Sequence, residues 1–291
     1  MIGRTPPATS AARSLLFVPG DNPRKIERAS QSAADALILD LEDSVHPSAK
    51  AEARRVVSEA HWAPGGPRRF VRVNSLRSGL FEEDLRCLRG QAPEVIMLPK
   101  CEGPGDILAA SALLDQAGLS GVALLPVATE SAKALRNLMR TDWTHPRLYG
   151  LTWGAEDISA DIGALTNRED GVYTGVFQLA RECCLLAARE AGVLALDTAF
   201  MDVRDVDGCA SEAARSFRAG FDGKLAIHPG QVDPINAAFT PSPQQIEWAR
   251  RVLEALDQSG QGVALLDGRM IDMPHQRSAE KILRAVAAPQ R

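Results

Sequence analysis

Short apolar runs recur along the chain, most of them ending in a charged or glycine-containing stretch. They are LLFVPG from Leu15, ALILDLEDSV from Ala36, RFVRVN from Arg69, VIMLPK from Val95, GVALLPVATE from Gly121, RLYGLTWGAED from Arg147, ALDTAFMDVRD from Ala195 and GKLAIHPG from Gly223. They begin mostly about 20 to 33 residues apart, with one interval of nearly 50 between the sixth and seventh. Several are continuously apolar rather than alternating, which suits strands buried on both faces of a parallel sheet. Helix-like stretches lie between them. NPRKIERASQSAA sets Pro23 where a first helical turn tolerates it. SAKAEARRVVSEA, SAKALRNLMR, TGVFQLARECCLLAAREAG and SEAARSFRAG space their apolar residues helically, and Gly192 and Gly220 stand where the last two would be capped.

Eight strand–helix units predict an α/β chain folded as a (β/α)₈ TIM barrel. A doubly wound open sheet has the same local rhythm. The count of eight favours the barrel, and no strand opens a GxGxxG loop, so a dinucleotide-binding sheet gains no support. On this reading residues 13–240 form the barrel and residues 1–12 a disordered lead-in. Residues 241–291 are more than a barrel needs. Ser242-Pro243-Gln244-Gln245 is a capping box opening the helix IEWARRVLEALDQ, followed by two apolar bursts around a glycine turn and a last helix, SAEKILRAVAA. This extension is expected to act as a lid or to reach a neighbouring subunit.

Composition narrows the function. At 291 residues and 45% apolar content, the chain can bury a large core. A net charge of −4 provides no basic field for nucleic acid. No apolar run approaches the roughly 18 residues of a membrane span, and MIGRTPPATSAARS lacks the apolar centre of a signal peptide. Five cysteines without CxxC spacing argue against a disulfide framework or zinc site and for a reducing, cytoplasmic setting.

In such a barrel the strand ends and the loops after them form the active face. The polar residues there are Asp21, Asn22, Arg24 and Lys25 after the first run; Asp40, Glu42 and Asp43 in the second; Arg72 and Asn74 in the third; and Lys100 in the fourth. Glu130, then Glu156 and Asp157, then Asp202, Arg204 and Asp205, and finally His228 complete the set. So many carboxylates on one face would repel one another, and a divalent cation relieves that; oxygen-only ligands favour Mg²⁺, or Mn²⁺, over zinc. Glu130 and Asp157 are the best pair, since they end adjacent strands and follow small residues. Arg72 suits a substrate carboxylate. Each position also has a structural alternative. Asp157 would N-cap a helix starting at Ile158, Glu130 would face a helix dipole, and Arg72 would pair with Asp40 or Glu42. Glu42, Asp43 and Glu156 read as hydrogen-bonding neighbours of the ligands, and Asp161 and His228 as structural residues.

Taken together, RSLLFVPGDNPRKIERA, DALILDLEDSV, RVNSLRSGLFEEDL, IMLPKCEGP, TWGAEDISADIGA, GFDGKLAIHPGQVDPINAAFTPSPQQIEWA and GRMIDMP resemble the citrate lyase β-subunit-like acyl-CoA lyases of the HpcH/HpaI aldolase superfamily. The likeness runs in order from about Arg13 to Met273. It implies a TIM barrel that cleaves or forms a carbon–carbon bond in a 3-hydroxyacyl-CoA thioester, with a 2-oxo acid as the other product. The resemblance places the metal-binding pair on Glu130 and Asp157, the substrate-carboxylate arginine on Arg72 and the catalytic aspartate of the MIDMP segment on Asp272. In such relatives that segment comes from a neighbouring subunit, so a homotrimer or hexamer is implied. The apolar MIDMP setting would desolvate Asp272 and suit it to proton exchange. Phe17 in the LFVPG block, with Arg24 and Lys25, would lie near the phosphates of coenzyme A. One departure stands out: the glutamate falls four residues after Pro126, where the commonest family pattern has three. Other readings are a citrate lyase β subunit acting on a citryl acyl carrier protein, a pyruvate aldolase with a free aldehyde substrate, and a non-catalytic barrel serving as a binding protein.

Overall fold

The computed structural model describes residues 11–62 and 64–287. In chain order the barrel half runs β1 (Ser14–Pro19), α1 (Pro23–Ser30), β2 (Ala36–Asp40), α2 (Lys50–Glu59), β3 (Arg68–Arg72), α3 (Phe81–Cys87), β4 (Val95–Leu98), α4 (Pro104–Gln116), β5 (Ala123–Pro126) and α5 (Ala132–Leu138). It continues with β6 (Gly150–Thr152), α6 (Glu156–Ile162), β7 (Arg168–Glu169), β8 (Val172–Tyr173), α7 (Gly175–Glu190), β9 (Leu194–Asp197), α8 (Val206–Ala219), β10 (Gly223–Ala226) and α9 (Val232–Ala238). The extension is α10 (Pro243–Ser259), β11 (Val263–Leu266), β12 (Arg269–Asp272) and α11 (Met273–Ala287).

The eight apolar runs supply eight parallel strands in the order β5-β4-β3-β2-β1-β10-β9-β6. The seam between β5 and β6 closes through Tyr149 N–H to Leu124 O at 2.8 Å and Ala128 N–H to Thr152 O at 2.8 Å, so the sheet is a barrel and not an open fan. Alternation along each strand sorts the core into two layers. Leu15, Ile38, Phe70, Met97, Leu125, Leu196 and Leu225 fill the barrel interior, while Leu16, Leu37, Val71, Ile96, Leu124 and Leu151 pack outward against the helices. Phe70 and Tyr149 meet edge to face at 5.2 Å inside.

The long interval between the sixth and seventh runs holds α6 and the β7–β8 hairpin, which no apolar pattern marks. Most of the expected lead-in lies outside the described residues. Its last residue, Ala12, is buried, and its N–H donates to the Tyr149 hydroxyl. In the extension, the Ser242 hydroxyl accepts from Gln245 N–H and the Gln245 side chain accepts in return from Ser242 N–H, the capping box read from the sequence. Asp267 and Gly268, both at positive φ, turn β11 into β12. Ala249, Val252, Leu256, Ile271 and Ala279 give this extension an apolar cluster of its own. The Lys281 ammonium on α11 ties it to the loop before β10, 3.1 Å from Asp222.

Candidate active site

The C-terminal ends of β2 and β3 bring Asp40 and Arg72 side by side. Arg72 Nε and Nη2 donate to the two Asp40 carboxylate oxygens, each at 2.7 Å, a two-pronged ion pair. Asp40 accepts further from Glu42 N–H and Ser44 N–H. Burial alone would raise the Asp40 pKa, but Arg72 and these donors outweigh it and hold the carboxyl below its ordinary value. The pairing of Arg72 with Asp40, one of the two alternatives for this residue, is therefore present. It orients the guanidinium and leaves Nη1, which meets Glu42 Oε2 only at 3.4 Å. Phe17 lies beneath, its ring centroid 4.8 Å from the guanidinium carbon. The Phe17 ring packs against the apolar residues of the barrel interior, below the Arg72 guanidinium.

Glu130 sits on the loop after β5 and is 7% exposed. Its carboxylate accepts from the Lys100 N–H, and no cationic side chain bonds it among the described residues. Burial and then the negative charge of Asp157 push its pKa up to about 8. Helix α5 is capped by Ser131, whose hydroxyl accepts from Ala134 N–H, so Glu130 is not spent on that helix. Asp157 lies half-buried in the first turn of α6, which begins at Glu156 with Ala155 at its cap position. The expected helix start at Ile158 is two residues late, and Asp157 is no N-cap. Two hydrogen bonds between Thr129 and Gly154 lock the two acid-bearing loops together. Gly154 keeps this approach close, because a Cβ would come 3.2 Å from Glu130 Cγ and push that side chain by a few tenths of an ångström.

The neighbours sort cleanly. Glu42 is buried and accepts from Lys100 Nζ at 2.6 Å, while its second oxygen has no hydrogen-bond partner; burial raises its pKa. Asp43 is exposed, 3.4 Å from the same ammonium. Glu156 is exposed and accepts from Asn167. Asp161 accepts from Ala132 N–H at 2.7 Å, and His228 Nδ1 accepts from Gly230 N–H, both structural as expected. Lys100 and Thr129 are the members that sequence reasoning did not assign. For Lys100 the sequence signal was only its place at a strand end.

Two carboxylates on neighbouring loops, one buried without a cation, fit a hard divalent ion that keeps waters and takes few protein ligands. Among the described residues no group of three or more His, Cys, Asp or Glu is poised for a metal, so a closed multi-ligand site is not formed. The observation that tests the fit is the displaced acidity of Glu130, since a cation beside it supplies the missing positive charge.

Residues 13–229 match the family described as HpcH/HpaI aldolase/citrate lyase. This chain belongs to that family. CitE of Mycobacterium tuberculosis, solved in complex with magnesium, acetoacetate and coenzyme A, matches with a TM-score of 0.81 and 34% identity, covering 95% of this chain and 98% of that one. A (3S)-malyl-CoA thioesterase of Cereibacter sphaeroides is 35% identical over 276 residues, 93% of each chain. Mitochondrial citramalyl-CoA lyase of Mus musculus is 33% identical over 294 residues, 93% of this chain and 85% of that one. The likeness to citrate lyase β-subunit-like proteins read from the motifs is borne out, and so is the TIM barrel.

In this HpcH/HpaI barrel, Arg24 and Lys25 stand exposed on the first turn of α1, without ion-pair partners among the described residues. Asp272 closes β12, where its carboxylate pairs with His275 Nδ1 at 2.6 Å and its side chain is 39% exposed. Within one chain it makes no hydrogen bond to Arg72, Glu130 or Asp157. No helix among the described residues is long and apolar enough to cross a membrane.

Proposed function

We propose that the protein is a Mg²⁺-dependent carbon–carbon lyase. Its substrate is a 3-hydroxyacyl-CoA thioester of the malyl-CoA or citramalyl-CoA type, cleaved to a 2-oxo acid and acetyl-CoA, or formed from them. The observation that carries this reading is Glu130: a buried carboxylate beside Asp157, with no cationic side chain bonded to it among the described residues, on the same mouth as an oriented Arg72. The magnesium, acetoacetate and coenzyme A of the CitE complex support it.

Cleavage needs three things: the 3-hydroxyl loses its proton, the C2–C3 bond breaks, and the resulting thioester enolate is protonated at carbon. Glu130 and Asp157 would hold a magnesium ion, which would supply Lewis-acid stabilisation of the negative charge that develops on substrate oxygens. Arg72, clamped by Asp40 and floored by Phe17, offers Nη1 to the carboxylate and offsets charge on the enolate. Arg24 and Lys25 offer cations to coenzyme A phosphates at the first turn of α1. Protonation at carbon is assigned to Asp272 of a neighbouring copy in a homotrimer or hexamer. The exposed Leu265 and Met270 of the extension, Leu165 between α6 and β7, and Met201 on the loop after β9 are apolar surface suited to such a contact. Five free thiols suit a reducing compartment such as the cytoplasm.

The Cereibacter relative brings a second reading, hydrolysis of the thioester. One assay separates the two: 3-hydroxyacyl-CoA esters are incubated with Mg²⁺ and products are followed by mass. A 2-oxo acid with acetyl-CoA marks the lyase, and free coenzyme A with an intact hydroxy acid marks the thioesterase. Mixing inactive Asp272→Asn with inactive Arg72→Ala restores activity if the site is shared between copies, and does not if each chain is self-sufficient.

A further inference from the structure

Lys100 follows β4 with φ at +52°, one of three non-glycine residues in the left-handed region among the described residues. The other two, Asp170 and Asp267, lie in the turns of the β7–β8 and β11–β12 hairpins, beside glycines. A lysine has no local reason to hold such a backbone, which costs free energy unless surroundings enforce it. Its two ends show what enforces it. The N–H set by that φ donates to the Glu130 carboxylate. The ammonium reaches the loop after β2, 2.6 Å from Glu42 and 3.4 Å from Asp43. That loop donates Glu42 N–H to Asp40, the residue that clamps Arg72.

We infer that Lys100 is a positioning residue that joins the two halves of the site. Its amide fixes one Glu130 oxygen so that the carboxylate is presented to the cation in one orientation. Its ammonium straps the Asp40–Glu42–Arg72 half to the same point, setting the substrate carboxylate at a fixed offset from the ion. This rests on the metal role of Glu130 and Asp157 proposed above, and goes beyond it by separating a backbone task from a side-chain task.

The two tasks come apart in three variants of the full-length protein. Glycine adopts the left-handed region without penalty, so Lys100→Gly keeps the amide direction and loses the strap. Lys100→Ala loses the strap and leaves the same unfavourable left-handed backbone without the contact that enforces it, so the amide is free to turn away. Lys100→Arg keeps a cation to bridge to Glu42. Titration of each metal-free protein with Mg²⁺ by calorimetry, together with steady-state kinetics and thermal unfolding, reads them separately. The expected result is a Mg²⁺ Kd about 10-fold or more weaker in Lys100→Ala, largely recovered in Lys100→Gly. In Lys100→Gly the KM for the acyl-CoA stays raised, and Lys100→Arg brings it back towards wild type. Unchanged Mg²⁺ affinity in Lys100→Ala, with only a lower Tm, overturns the inference and leaves a structural turn. Equal weakening in Ala and Gly variants also overturns it, because the loss then follows the ammonium and not the amide. If the wild type takes up no Mg²⁺, the metal reading itself fails and this inference with it; if the wild type binds and Lys100→Ala binds equally, only this inference fails.

Discussion

Two carboxylates at the ends of barrel strands are buried almost equally and live in opposite electrostatic worlds. Asp197 closes β9 with no exposed surface, and Glu130 follows β5 at 7% exposure. Around Asp197 stand the Trp153 indole N–H at 2.7 Å, the Ser216 hydroxyl, Arg181 at 3.3 Å and the fully buried Lys224 at 3.4 Å. Burial works to raise its pKa, and Lys224 and Arg181 override it, so the carboxyl stays well below its ordinary range. Lys224 is shared with Glu212, which also holds Arg168 on the β7–β8 hairpin. That charge is settled inside the protein. Glu130 receives one backbone N–H and a like charge from Asp157, and its pKa climbs to about 8. A buried carboxylate left without a counter-charge is costly unless something else provides it. The contrast separates a carboxylate that holds the fold from one that waits for a cation.

The sharpest way to break this contrast is to neutralise each acid. Glu130→Gln is expected to weaken Mg²⁺ binding by more than about 100-fold and to stop turnover, while the fold survives. The metal-free stability should move the other way. With a folded pKa near 8 against an ordinary 4.5, Glu130 holds a proton that the unfolded chain has released. Its stabilising share is therefore complete below pH 4.5 and is lost as pH rises through about 8. Removing the titration should make metal-free Glu130→Gln more stable than wild type at pH 8 and above, as read by denaturant unfolding. Asp197→Asn has the reverse signature. It strips Arg181 of its carboxylate and leaves Lys224 with Glu212 alone, and should cost about 3–5 kcal/mol with no dependence on Mg²⁺. Adding Lys224→Met to it should recover part of that loss, a coupling that unfolding midpoints would report.

Smaller changes refine the picture. Arg72→Lys replaces a two-pronged contact by a point charge and should lower kcat/KM about 10- to 100-fold, with Mg²⁺ affinity little altered. An equal loss in both would mean that Arg72 supports the metal and not the substrate. Gly154→Ala places a methyl 3.2 Å from Glu130 Cγ and should weaken Mg²⁺ a few-fold; unchanged affinity would show that Glu130 has room to move.

The barrel was legible because parallel strands buried on both faces write themselves as continuous apolar runs, and all eight became strands. The capping box at Ser242 was legible for a similarly local reason. The β7–β8 hairpin was not, since its short strands are largely polar and are held by Arg168 reaching Glu212, 44 residues away. At the site, strand-end position singled out Arg72, Glu130 and Asp157, and family motifs reinforced them. What a sequence does not write is the sign of a local charge balance. Asp197 and Glu130 are both acids after apolar runs, and only the fold brings Lys224 and Arg181 within bonding distance of one while leaving the other to a backbone N–H and the more distant charge of Arg72. The backbone at Lys100 was hidden for the same reason, as was the inward turn of Phe17 beneath Arg72.

The most direct test of Glu130 as an acid awaiting a cation is calorimetric titration of the metal-free protein with Mg²⁺ at pH 7, run in buffers of different ionisation enthalpy. With a pKa of about 8, Glu130 is mostly protonated before the ion arrives, so one ion per chain should bind and release about one proton. Glu130→Gln should bind far more weakly and release none. Saturable binding that releases no proton, or binding of equal strength in Glu130→Gln, would contradict the account.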